Sequence, residues 1–178
     1  VRKLVVHTLA SLDGVVDDPQ AWGGAAYRDD EGVRDYLGEA LAAHAMVMGR
    51  HGYDTLQRAF GSRPDPWATR INAMPKYVFS STLRDPTWPN TTIVRGDARG
   101  AVEELVRGDG GDLLIYGYTR FADALLRDGL VDVLRVDVHP VLVGRGRTLW
   151  REGVASKLAL AGVKTYTRGV VMLAYGKP

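Results

Sequence analysis

AMVMGRHGYDTL, residues 45–56, is the stretch whose reading decides the fold. Four apolar residues, Ala45 to Met48, run straight into Gly49-Arg50-His51-Gly52, and Tyr53, Leu56 and Phe60 then fall at i, i+3 and i+7. A short apolar run fits a central strand, and that later spacing marks one face of a helix. The stretch is therefore a buried strand, a glycine turn and the first turn of a helix. A helix start presents unpaired N–H groups and the positive end of the macrodipole. Gly49 removes a side chain that would keep an anion away, and Arg50 and His51 add donors, so the corner suits a phosphate. Glycine is equally common at strand-to-helix turns that bind nothing, so the rest of the chain has to decide.

Upstream, residues 4–9 (LVVHTL) read as a buried strand and Ser11-Leu12-Asp13-Gly14 as a turn. A connection rich in Gly, Asp and Pro follows through Trp22-Gly23-Gly24, and connections of this length are often lids or binding loops. From Arg28 to His44 the spacing of Val33, Leu37, Ala40, Leu41 and His44 predicts an amphipathic helix. Downstream, residues 61–66 break the pattern, 67–73 form a short helix, and 76–81 (KYVFSS) a strand carrying two serines at its end. Residues 91–95 form another strand. Asp97 is placed to cap a helix with the stripe Ala98, Ala101, Val102, Leu105 and Val106. Strand 112–116 ends at Gly117, and Thr119 is the N-cap of a helix carrying Phe121, Leu125 and Leu126.

The texture then changes. Residues 132–139 alternate, with Leu134, Val136 and Val138 on one face and Arg135, Asp137 and His139 on the other. Residues 157–166 and 169–175 flank Thr167-Arg168-Gly169 as a terminal antiparallel hairpin does. Alternating strands and helices imply right-handed crossovers and parallel pairing. The fold class is thus a single α/β domain, with a mixed, mostly parallel sheet, helices on both faces and a C-terminal antiparallel hairpin.

Composition narrows the function. The 178 residues suit one domain with a proper core. Net charge is +2, from 23 basic and 21 acidic residues with no basic block, which gives nucleic-acid binding little support. Cysteine is absent, which excludes disulfides and thiolate metal sites and fits a cytoplasmic protein. No apolar run reaches the roughly 20 residues of a membrane span, and the start reads as a first strand, not a signal peptide. The histidines at 7, 44, 51 and 139 are scattered, so no metal site is expected. The dinucleotide fingerprint G-x-G-x-x-G, H-E-x-x-H, G-x-S-x-G and the P-loop are all missing.

In an open α/β sheet, ligands bind beyond the carboxyl ends of the strands. Three predicted strands end in suggestive residues: Gly49-Arg50-His51, Ser80-Ser81-Thr82 and Gly117-Tyr118-Thr119-Arg120. Two helix starts, two arginines and several hydroxyls would suit a phosphorylated dinucleotide. Each member also has a plain reading: Arg50 as a solvated charge, the serines as a strand end, Arg120 as a local donor.

In order along the chain, Ser11-Leu12-Asp13-Gly14, Met48-Gly49-Arg50-His51, residues 76–82, the Gly117 strand end, Gly129-Leu130-Val131-Asp132 and Pro140-Val141-Leu142-Val143-Gly144-Arg145-Gly146 form a set. The set resembles the dihydrofolate reductase superfamily, and within it the reductase domain of bifunctional riboflavin-biosynthesis deaminase/reductases and their stand-alone relatives. The resemblance implies NADPH as cofactor, with Arg50, Ser80 and Ser81 at the adenosine 2′-phosphate. Gly49 and His51 would lie at the pyrophosphate, with Thr82 nearby, and Gly117–Arg120 would close over the cofactor. It implies hydride transfer to a phosphoribosylamino-pyrimidine, and homodimers. Tyr118 departs from the small residue usual there, and would crowd or stack on the cofactor. The acid is open between Asp13, which also reads as an ordinary turn residue, and a carboxylate near Asp30 and Glu31 on the helix before the M-G-R strand. A domain that binds NADPH without turnover, and a true dihydrofolate reductase, are the competing readings.

Overall fold

The structure is a computed structural model that describes residues 2–149 and 156–178. Strand β1 (Leu4–Ser11) leads through a long connection, with a 3-10 turn at Gly24–Tyr27, to helix α1 (Asp30–Ala42). Then follow β2 (Ala45–Gly49), α2 (Arg50–Phe60), α3 (Pro66–Ala73), β3 (Lys76–Phe79), β4 (Thr91–Val94), α4 (Ala98–Arg107), β5 (Leu113–Tyr116) and α5 (Arg120–Arg127). Strands β6 (Val133–His139), β7 (Ala159–Thr165) and β8 (Val171–Gly176) complete the sheet, ordered β4-β3-β2-β5-β1-β6-β8-β7. Pairing is parallel from β4 to β6 and antiparallel at β8 and β7. This is the mixed sheet expected from the sequence.

Strand alternation divides the core between the two faces. Met46 and Met48 pack with Tyr36, Phe60, Trp67 and Ile71 under α1, α2 and α3. Ala45 and Val47 pack with Val102, Ala122 and Leu125 under α4 and α5. A strand covered on both faces has no polar side to show, which is why residues 45–48 carry no alternation.

Local chemistry sets the ends of the helices. Asp29 caps α1, accepting from Gly32 N at 2.8 Å, and Asp65 caps α3, accepting from Ala68 N at 3.0 Å with Pro66 behind it. Helix α1 has no basic residue in its last turn. Arg70 of α3 supplies the charge from outside, donating to the carbonyls of Ala40 at 2.9 Å and Ala43 at 2.7 Å. Lys76 is fully buried, its ammonium donating to the carbonyls of Asn72, Met74 and Pro89 at 2.9, 2.8 and 3.0 Å.

Two local expectations are corrected. The face of α1 that meets the core is Gly32, Tyr36 and Ala40, while Val33 and Leu41 are exposed. The stripe is rotated from the expected one because Tyr36, which lies outside it, is the large side chain that packs. Asp97 stands at the start of α4 but makes no capping bond with its side chain.

Candidate functional site

Strands β3, β2 and β5 are adjacent and parallel, so their carboxyl ends share one edge of the sheet. Gly49 pairs in register with Phe79, which sets Arg50 and His51 beside Ser80, Ser81 and Thr82. Among the described residues no side chain caps the start of α2, leaving its first N–H groups for solvent or a ligand. Gly117 takes φ +85°, and a Cβ built there meets nothing described within 4 Å. The end of β5 is therefore open where a side chain would begin, as close approach of a ligand requires. Thr119 caps α5 as expected, accepting from Ala122 N at 3.4 Å, and Arg120 is exposed in its first turn. Ser80 Oγ accepts from Thr82 N at 3.2 Å and Leu83 N at 3.0 Å, shaping the turn after β3. Arg95 at the end of β4 donates to the carbonyl of Leu83 at 2.6 Å and braces that turn. Nothing in the local sequence marks Arg95, because its partner turn lies across the strand pair.

Some members behave differently from the sequence reading. A Cβ on Gly49 would lie 3.1 Å from Phe121 Cβ, so this glycine permits close packing of α5 on β2 as much as access for an anion. Tyr118 turns inward, 3% exposed, and its hydroxyl donates to Asp123 at 2.9 Å. Its side chain therefore neither crowds nor stacks on a ligand at this edge. Arg50 Nε donates to Asp54 at 2.8 Å, an exposed i,i+4 pair on α2.

The two expected acids are displaced from that role. Asp13 accepts from Ser11 Oγ at 2.5 Å, from Val143 N at 3.1 Å and from Gly144 N at 2.7 Å. The Ser11 hydroxyl, then the Val143 and Gly144 amides, hold its pKa down at about 2. An acid that stays ionised at neutral pH cannot donate a proton, so Asp13 is a latch that ties the 11–14 turn to the 140–146 segment. Glu31 pairs with Lys164 of β7 at 2.9 Å at the surface, where both side chains are partly exposed.

The carboxylates that do face the core come from elsewhere. His7 of β1 lies in register with Tyr116 of β5 and Arg135 of β6, and its ring stacks on Tyr36 of α1 at 4.6 Å and 8°. Its Nδ1 lies 2.8 Å from Glu39 Oε2, and its Nε2 lies 3.2 Å from Asp137 Oδ1. The second contact is an ion pair whose geometry falls short of a hydrogen bond, since neither atom has a hydrogen-bond partner. Tyr36 donates to Asp137, and Arg135 to Glu39. Burial by itself pulls the imidazole pKa down, but the Glu39 charge and the Asp137 and Glu39 contacts overcome it and hold it at about 9. Burial opposes ionisation of both carboxylates as well, and His7 outweighs it, so each stays below its ordinary value. The result is a buried imidazolium between two carboxylates.

Asp137 and His139 also line a cavity of about 20 Å³ with Leu9, Tyr27, Arg28 and Tyr36. Trp22 and Tyr27 of the long connection stand edge-on to the His139 ring at 5.3 and 6.0 Å, covering this end of β6. The network abuts the strand-tip edge directly, because Gly117 N donates to the carbonyl of His7 at 2.8 Å. Sequence reasoning missed His7, Tyr36, Glu39 and Asp137. The one available signal was the face Arg135-Asp137-His139, whose charges are out of place on a strand buried by its neighbours.

This sheet, with its open strand-tip edge, is a dihydrofolate-reductase-like α/β fold. The chain belongs to the RibD C-terminal domain family, whose model matches residues 2–172, and is thus a reductase-like domain of the riboflavin-biosynthesis type. It is 24% identical over 181 residues to protein YyaP of Bacillus subtilis (strain 168), covering 98% of this chain and 94% of that one. In three dimensions it is similar to a putative riboflavin biosynthesis protein from Shewanella sp. PV-4, with TM-score 0.79, 18% identity and 99% of each chain covered. It is also similar to the diaminohydroxyphosphoribosylaminopyrimidine deaminase/5-amino-6-(5-phosphoribosylamino)uracil reductase of Thermotoga maritima, with TM-score 0.66 and 15% identity. There it covers 99% of this chain and 57% of the larger protein. Among the described residues no helix is long and apolar enough to cross a membrane, and no group of three or more His, Asp or Glu is placed to hold a metal ion.

Proposed function

We propose that this protein is an NADPH-dependent reductase acting on a phosphoribosylamino-pyrimidine such as 5-amino-6-(5-phosphoribosylamino)uracil, or on a closely related heterocycle. The observation that carries the reading is the shared edge of β3, β2 and β5, with an uncapped helix start at α2 and open space at Gly117. A dinucleotide's phosphates suit exposed main-chain N–H groups, and an extra 2′-phosphate suits Arg50 with the Ser81 and Thr82 hydroxyls. NADPH, when bound, supplies the hydride. The chain's own part is to orient the reactants and exclude water. Arg50 and the 80–82 turn would hold the adenosine end, and Gly49, His51 and Gly117 to Arg120 the pyrophosphate. The substrate would enter where Leu9, Tyr36, Asp137 and His139 meet, one strand away from Gly117.

Fluorescence titration tests this. NADPH is expected to bind at least about tenfold more tightly than NADH, a difference of about 1.4 kcal/mol, and Arg50→Ala to remove most of that preference. Equal affinities would overturn the reading.

We also propose a homodimer formed through the late strands. Leu158, Leu160 and Val163 are 39, 59 and 55% exposed in and beside the edge strand β7, where an apolar row invites pairing. Sedimentation giving a monomer at micromolar concentration would retire the dimer without touching the reductase reading.

A further inference from the structure

The arginines on the elements around the cavity are nearly all engaged. Arg63 gives Nε at 2.8 Å and Nη2 at 2.7 Å to Asp65. Arg135 is held by Glu39, and Arg168 donates to the carbonyl of Ala26 at 2.7 Å. Arg28 is different. It precedes α1, lines the cavity and is half-buried, with Cζ 5.4 Å from the ring centre of Tyr36 and 5.0 Å from that of Trp67. Among the described residues its guanidinium has no hydrogen-bond acceptor and no ion-pair partner. Aromatic faces offset part of a guanidinium's charge and fix its plane, but they leave its N–H edges free. The two carboxylates of the same cavity are committed elsewhere. Asp29 accepts from Gly32 N at 2.8 Å, Thr167 N at 2.8 Å and Thr167 Oγ1 at 2.6 Å, while Asp137 accepts from Tyr36 and faces His7. At about 20 Å³ the cavity admits little more than one oxygen atom, so the body of a ligand lies at its mouth, where Arg28 stands.

We propose that Arg28 is the anchor for a phosphate monoester on the substrate. The planar fork of a guanidinium matches two phosphate oxygens, and a fork already held flat by two rings loses little freedom on binding. The cofactor's phosphates are assigned to the corner of β2, β3 and β5, on the other side of β1 from β6, so the substrate's phosphate has a seat of its own. Arg28 is a specificity-determining residue in this scheme. It separates a phosphorylated sugar from the same molecule without its phosphate and takes no part in hydride transfer. The inference deepens the reductase reading and rests on it for the identity of the substrate, whereas the place and free donors of Arg28 are independent of it.

The test has two arms. In the first, NMR of the ligand-free full chain follows the Arg28 Nε–H signal, assigned by its loss in Arg28→Lys. Ribose 5-phosphate is expected to move that signal and ribose to leave it in place; binding at the cofactor corner moves the Arg50 signal instead. In the second, turnover with NADPH is compared for 5-amino-6-(5-phosphoribosylamino)uracil and for the same compound without its phosphate. Arg28→Gln should raise KM for the phosphorylated substrate by about 10- to 100-fold, as for a lost hydrogen bond to a charged group, with kcat within about threefold. KM for the compound without phosphate should stay within about twofold, since that compound has no charge for the fork to hold. Arg28→Lys keeps the charge without the fork and should fall between wild type and Arg28→Gln. An Arg28 signal that ribose 5-phosphate leaves in place, or a KM that rises equally for both compounds, overturns the inference. A wild type that fails to bind NADPH brings down the reductase reading instead, and the NMR arm still reports whether Arg28 holds a phosphate.

Discussion

Two neighbouring parts of one sheet edge are built by opposite means. The strand-tip corner at Gly49, Ser80 and Gly117 is open and assembled from turn residues, each legible within its own few residues of chain. The network of His7, Tyr36, Glu39 and Asp137 is buried and assembled from three elements, with Tyr36 and Asp137 separated by 101 positions. An exposed corner costs little to keep polar, because water satisfies whatever a ligand does not. A buried polar cluster has no such relief and must satisfy itself almost completely. The corner should therefore tolerate mutation in stability and respond in binding, while the network responds in stability as well.

The largest effect expected is on the network. Asp137→Ala leaves His7 with an unbalanced partner and the Tyr36 hydroxyl without its acceptor, and should lower unfolding stability by about 3–5 kcal/mol in urea titrations. A loss below about 1 kcal/mol would mean the charges are not buried as pairs. Next comes the pH dependence. The folded-state pKa of His7, about 9, is raised above the ordinary 6.5, so its stabilisation is complete below pH 6.5 and is lost as pH rises through 9. Denaturation across that window should reveal a loss on the order of 3 kcal/mol that His7→Gln abolishes. A curve that His7→Gln leaves unchanged would assign the dependence to other groups.

At the corner, Arg50→Ala should weaken NADPH by about 1.5–3 kcal/mol while moving stability by less than about 0.5 kcal/mol, reversing the order of effects expected in the network. Asp13→Asn tests the latch against an acid: kcat should change by no more than about threefold, whereas a general acid lost would cost at least about a hundredfold. Glu31→Gln should be the quietest, with unchanged turnover and a stability change within about 0.5 kcal/mol by thermal denaturation, as for exposed ion pairs.

The sequence by itself determined the alternation of strands and helices, the late hairpin and the three strand ends where a phosphate-bearing ligand would sit. These follow from the period of apolar residues and from glycine and hydroxyl chemistry, all local quantities. It also marked Ser11-Leu12-Asp13-Gly14 and the 140–146 segment as significant, without indicating that Asp13 joins them. Tertiary structure decided that Tyr36, not Val33, faces the core, that Tyr118 turns inward, and that β8 lies between β6 and β7. It also decided which acids matter. A carboxylate's role depends on what surrounds it, and for Glu31, Glu39 and Asp137 the surroundings come from strands and helices that meet only when the sheet is assembled.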